Sequence, residues 1–110
     1  MSITMNLYYT GSGENAVKFA KEMISSGTVD KIRSNSGNLR YEYFTSINNP
    51  ETVLLIDSWK NQSALDKHHS SETMGTILKL RDKYDLTVTA ERYVSDDTGI
   101  PKKDQKFLDK

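Results

Sequence analysis

Cysteine is absent from all 110 residues of the chain. That excludes disulfide staples, a thiolate nucleophile, iron–sulfur ligation and a cysteine-built zinc site. An excess of one charge is lacking too, since fifteen Lys and Arg offset fifteen Asp and Glu. A partner held mainly through phosphates, whether nucleic acid or an anionic membrane, is therefore disfavoured. No stretch approaches the ~18 apolar residues of a membrane span. The opening Met1–Tyr9 has neither the basic flank nor the long apolar run of a secretory leader. No glycine-rich phosphate loop follows a strand, because Gly11-Ser12-Gly13 is too short for one, and no Gly-x-Ser-x-Gly nucleophile elbow occurs. The expectation is one cytoplasmic domain without a nucleotide fold.

What is present is enough to build a core. Six Tyr, three Phe and one Trp supply ten rings, and 35% of positions are apolar. A domain of this size buries only about 60–70% of its unfolded surface, so self-association is a natural way to bury more.

Ile3, Met5, Leu7 and Tyr9 alternate with Thr4, Asn6, Tyr8 and Thr10, a period of two that predicts a strand. From Glu14 to Ser26 apolar residues recur at three and four, predicting a helix that Gly27 can interrupt and Val29 and Ile32 can prolong to about Arg33. Leu39 to Ser46 alternates again. Thr52 to Trp59, apolar on both faces, reads as a central strand. Asn61 can cap a short helix carrying Ala64, Leu65 and His68, and Ser70 or Ser71 can cap another carrying Met74, Ile77, Leu78, Arg81 and Tyr84. Leu86 to Val94 closes the series as a fourth strand. The order is β-α-β-β-α-β, a ferredoxin-like α+β fold with a four-stranded antiparallel sheet and helices on one face. Residues 1–95 form the domain. Residues 96–110 form a polar tail, free or laid over a partner. The second face of such a sheet needs cover, and a homodimer packed sheet to sheet would provide it.

Trp59 ends the central strand and His68 follows nine residues later, on the helix face shared with Ala64 and Leu65. An imidazole beside an indole, facing the gap between helix and sheet, can take a proton from a phenol. It can equally be a core histidine held by a hydrogen bond beside a plugging tryptophan. Asn6 and Tyr8 point under the helices if Ile3, Met5 and Leu7 make the dimer face, and an amide there could hold a ligand oxygen. Tyr41, Phe44, Leu78 and Arg81 complete the candidate substrate-binding set. Asp57, on the same strand face as Trp59, is read as an ion-pair partner or a support for the catalytic group. The adjacent His68 and His69 point about 100° apart on a helix, which makes a zinc site improbable.

The motifs Gly37-x-Leu39-x-Tyr41-Glu42, Asn49-Pro50, Asp57-x-Trp59 and Ala64-Leu65-x-x-His68-x-x-Ser71 together resemble the antibiotic biosynthesis monooxygenase (ABM) family. These are small dimeric α/β-barrel proteins that include quinol monooxygenases working without metal or flavin. The resemblance runs from about Ile3 to Val94. It implies a cavity between helices and sheet for a polycyclic phenol or hydroquinone, whose anion reduces oxygen directly with no cofactor. His68 would be the base, Asn6 the oxygen anchor and Trp59 the cavity wall. In the haem-degrading branch the histidine ligand falls at Leu78, which cannot bind iron, so haem degradation is disfavoured. Two other readings stand beside the oxygenase: a non-catalytic ligand-binding or stress-response dimer, and an RNA-binding domain suggested by Arg40–Phe44. The zero net charge weighs against the latter.

Overall fold

The computed structural model describes residues 1–109. Alternation of side chains makes four strands: β1 (Ile3–Thr10), β2 (Asn38–Thr45), β3 (Thr52–Trp59) and β4 (Thr87–Val94). They pair antiparallel in the order β2-β3-β1-β4, with β3 and β1 central. The sheet is open, with β2 and β4 as its edges. The fold is the expected ferredoxin-like one, and each helical stretch is two helices, as Gly27 allows in the first and the two capping sites predict in the second.

The first stretch divides into α1 (Asn15–Ser25) and α2 (Thr28–Arg33) at Gly27, whose φ of 81° no helix accommodates. The second divides into α3 (Gln62–His69) and α4 (Glu72–Lys83). Asn61 caps α3 as expected, its side chain accepting the Ala64 N–H at 2.9 Å. Ser71 precedes α4 but does not cap it. Its hydroxyl instead donates to the His68 carbonyl at 2.7 Å, tying the end of α3 to the start of α4.

The core lies between the helices and one sheet face, built from Phe19, Met23, Val29 and Ile32 against Tyr41, Val53, Leu55 and Trp59. On β1 it is Ile3 and Tyr9 that are buried here, with Met5 and Leu7 packed against them. This reverses the expected assignment of faces. The largest apolar set on β1 goes to the helix layer, where most apolar area can leave water, so Asn6 and Tyr8 lie on the uncovered face. Leu86 is buried, but Val94 at the far end of β4 is exposed, because the helix layer does not reach that edge. Residues 95–109 include a 3-10 turn over Lys102–Phe107, and Ile100, Phe107 and Leu108 are all exposed.

Candidate functional site

A pocket of about 280 Å³ opens where the Asn35–Gly37 turn, the end of β3 and α3 converge. Its position follows from local chemistry. The Lys60 N–H donates to the Gly37 carbonyl at 2.9 Å, clasping the turn to the strand end. Gly37 allows α3 to come close: a methyl group there would sit 2.5 Å from the Ala64 Cβ. Trp59 and His68 form the pocket's inner wall, stacked at 4.8 Å between ring centres and 24° between planes.

This pair belongs to a longer aromatic series. Tyr41 meets His68 edge-on at 6.1 Å and Tyr43 at 5.9 Å, and Phe19 bridges Tyr43 to Tyr9. Edge-to-face and offset contacts of this kind favour a single arrangement of rings. Behind them sits Asp57, only 3% exposed, accepting the Trp59 indole N–H. No cation pairs with it among the described residues, so it is not the ion-pair member that the sequence allows. Burial pushes its carboxyl up to about 7, partly offset by the indole hydrogen bond.

His68 is 4% exposed, and its Nδ1 is buried with no hydrogen-bond partner among the described residues. Burial, and secondarily the neighbouring His69, lower its pKa to about 4, so the ring is neutral at physiological pH. An unpaired buried nitrogen costs about 1–3 kcal/mol. A ligand O–H or N–H could satisfy it. Among the described residues the Tyr43 hydroxyl is the other buried side-chain polar atom without a partner, and burial raises its pKa strongly.

Of the residues picked out in the sequence, Trp59, His68 and Tyr41 come together, and the rest do not. Asn6 lies on the uncovered face opposite Ile56 and Glu91. Tyr8 is on that face too, its hydroxyl donating to Glu91 at 2.9 Å. Phe44 shares it, beneath the Arg40 guanidinium at 5.4 Å. Leu78 is 46% exposed on α4. Arg81 donates to the Leu86 carbonyl, which fastens the α4–β4 connection. None of these five lines the pocket, and neither does Tyr41, which meets His68 from within the core. The residues that sequence reading passed over are the turn Asn35–Gly37 and the lysines Lys60 and Lys67, each adjacent in sequence to one of the two ring residues. That adjacency was the available signal.

Among the described residues no three His, Asp or Glu side chains gather into a metal-holding group, and no helix is long and apolar enough to cross a membrane.

Residues 2–80 match the family model described as antibiotic biosynthesis monooxygenase, and the chain belongs to that family. Solved structures share its fold at low identity. A candidate antibiotic biosynthesis monooxygenase from Deinococcus radiodurans is 18% identical with a TM-score of 0.72, covering 86% of this chain and 92% of that one. A conserved protein from Methanosarcina mazei is 18% identical with a TM-score of 0.74, covering 87% and 94%. SnoaB, a cofactor-independent oxygenase from Streptomyces nogalater crystallised as a mutant, is 12% identical with a TM-score of 0.66, covering 86% and 93%. A search of curated protein sequences finds no match.

Proposed function

We propose that the chain is a monooxygenase that oxidises a phenol or hydroquinone of one or two rings with molecular oxygen. The observation that carries this reading is the Trp59–His68 wall of the 280 Å³ pocket, with a buried imidazole nitrogen left unpartnered. Ligand pockets commonly run from about 300 Å³ upward, so this one suits one or two fused rings better than the polycyclic substrate that the family resemblance suggests.

The substrate ring would lie along the indole, with its hydroxyl donating to His68. Alone, the imidazole is a weak base, because burial disfavours its cation. A phenolate forming beside it stabilises the imidazolium by opposite charge, so proton transfer and anion formation support each other. The electron-rich anion then gives electrons to oxygen. For a phenol with hydrogen at the para carbon, one oxygen atom enters the ring, giving a quinone, and the other leaves as water. A homodimer packed through the uncovered face accompanies this reading, supported by the half-buried Leu54, Ile56 and Phe44 there.

The depressed basicity of His68 favours one alternative, a binder that holds an aromatic compound without turning it over. Oxygen-electrode assays with naphthols and hydroquinones separate the two. The oxygenase consumes one O2 per quinone formed, and His68→Gln slows it by about 10²–10⁴-fold. Saturable binding without oxygen consumption selects the binder, and full turnover in His68→Gln removes the proposed base.

A further inference from the structure

The pocket is aromatic inside and cationic at its rim. Lys60 and Lys67 both line it, one leaving the end of β3 and the other on α3 one residue before His68. No carboxylate lines it, and neither lysine makes a salt bridge among the described residues. The nearest acid on the helix, Asp66, is engaged with Gln62 at 2.8 Å. Lys60 is held over the turn, its Cε 3.6 Å from where a Gly37 Cβ would stand. Asn61 and Ser63, at the positive end of the α3 dipole, line the same rim. A neutral hydroquinone would use none of this charge. An anion would, and His68 in the same wall leaves its buried Nδ1 without a partner, an acceptor for a ligand that also brings a donor.

We propose that the pocket selects aromatic acids: a one- or two-ring phenol bearing a carboxylate, with the ring against Trp59 and His68 and the carboxylate between Lys60 and Lys67. This rests on the pocket being the substrate site and narrows the substrate class beyond phenols in general. The carboxylate anchors the ring end nearest solvent, which directs the phenolic hydroxyl inward, toward the imidazole.

The test uses calorimetry on the full chain with two near-isosteric probes, 5-hydroxy-2-naphthoate and the uncharged 5-hydroxy-2-naphthamide, in which the hydroxyl lies on the ring away from the carboxylate or amide. Two exposed lysines predict that the acid binds roughly ten-fold tighter at low salt, a preference cut to about two-fold when salt shortens the Debye length to ~3–4 Å. In Lys60→Met/Lys67→Met, whose fold is checked by an unchanged far-UV spectrum, the two probes should bind alike. The chain's one indole N–H resonance, that of Trp59, should shift with either probe. Equal affinities in the unmodified protein, a preference that survives the double substitution, or no binding of either probe each overturns the proposal. Oxygen uptake is read separately. Charge-selective binding without uptake keeps the aromatic-acid site and removes the oxygenase, whereas uptake with neutral hydroquinones and no charge preference does the reverse.

Discussion

The two faces of the sheet are drawn from alternate residues of the same strands, yet they have become different chemical environments. On the helix side, β3 presents Val53, Leu55, Asp57 and Trp59, all buried. There a carboxyl titrates near 7 and an imidazole near 4. On the uncovered side, β1 and β4 present Asn6, Tyr8, Thr89 and Glu91, and the Tyr8–Glu91 hydrogen bond is exposed to water. Strand sequence supplies polar groups to both faces. The helix layer shifts its set by burial, because desolvation needs cover on every side, whereas on the open face the Tyr8 phenol is raised chiefly by its hydrogen bond to Glu91.

The sharpest way to break this contrast is to remove the ring that closes the covered side. Trp59→Ala should cost about 3–5 kcal/mol in urea unfolding, through lost packing and an orphaned Asp57. Phe44→Ala, on the other face, should cost distinctly less. Comparable losses would mean that the uncovered face is as tightly packed as the core.

A smaller effect is expected at the pocket floor. Gly37→Ala sets a methyl against Ala64, and displacing α3 should cost about 1–3 kcal/mol. Binding at the pocket should weaken in parallel. An unchanged unfolding midpoint would show that the turn can give way.

The pH profile sharpens the comparison further. Asp57 is raised from 3.8 to about 7, so between those values the native state binds more protons than the unfolded chain. Its contribution therefore makes stability fall as pH rises through that window. His68 is lowered from 6.5 to about 4, so there the unfolded chain binds more protons and stability rises with pH. The two oppose each other between about pH 4 and 6.5, and the protein should show a shallow profile. Asp57→Asn exposes the His68 slope, with stability lost as pH falls toward 4. His68→Gln exposes the Asp57 slope, with stability lost as pH rises toward 7. Each should approach about 1.4 kcal/mol per pH unit in mid-window, and parallel profiles for the two variants would refute the opposition.

Smallest of all, Tyr8→Phe should change stability by less than about 0.5 kcal/mol, since an exposed side-chain hydrogen bond exchanges with water. A larger loss in a sample that sedimentation shows to be dimeric would locate Tyr8 in a subunit interface.

Much of the fold was legible because each element carries its own periodicity. The alternation of β1 and the two-sided apolar run of β3 needed no tertiary information, and the Asn61 cap followed from residue type. The divided helices were visible too, since Gly27 marks one break and the serines at 70 and 71 mark the other. Within the site, Trp59 and His68 could be joined because strand-then-helix geometry links residues nine apart. Asn6 could not be placed correctly. A strand with Ile3, Met5, Leu7 and Tyr9 on one side and Tyr8 on the other does not say which side the helices will choose. The rim lysines were hidden for a related reason, since a surface lysine looks the same in sequence whether it meets bulk water or a pocket.

Local pattern alone settled the order of elements, their antiparallel arrangement and the pairing of an indole with an imidazole, because periodicity and short spacing act within one or two elements. Tertiary packing decided which sheet face is covered, how small the pocket is and where the acidities of Asp57 and His68 fall. Those are properties of everything that surrounds a residue, and most of what surrounds these two comes from distant parts of the chain.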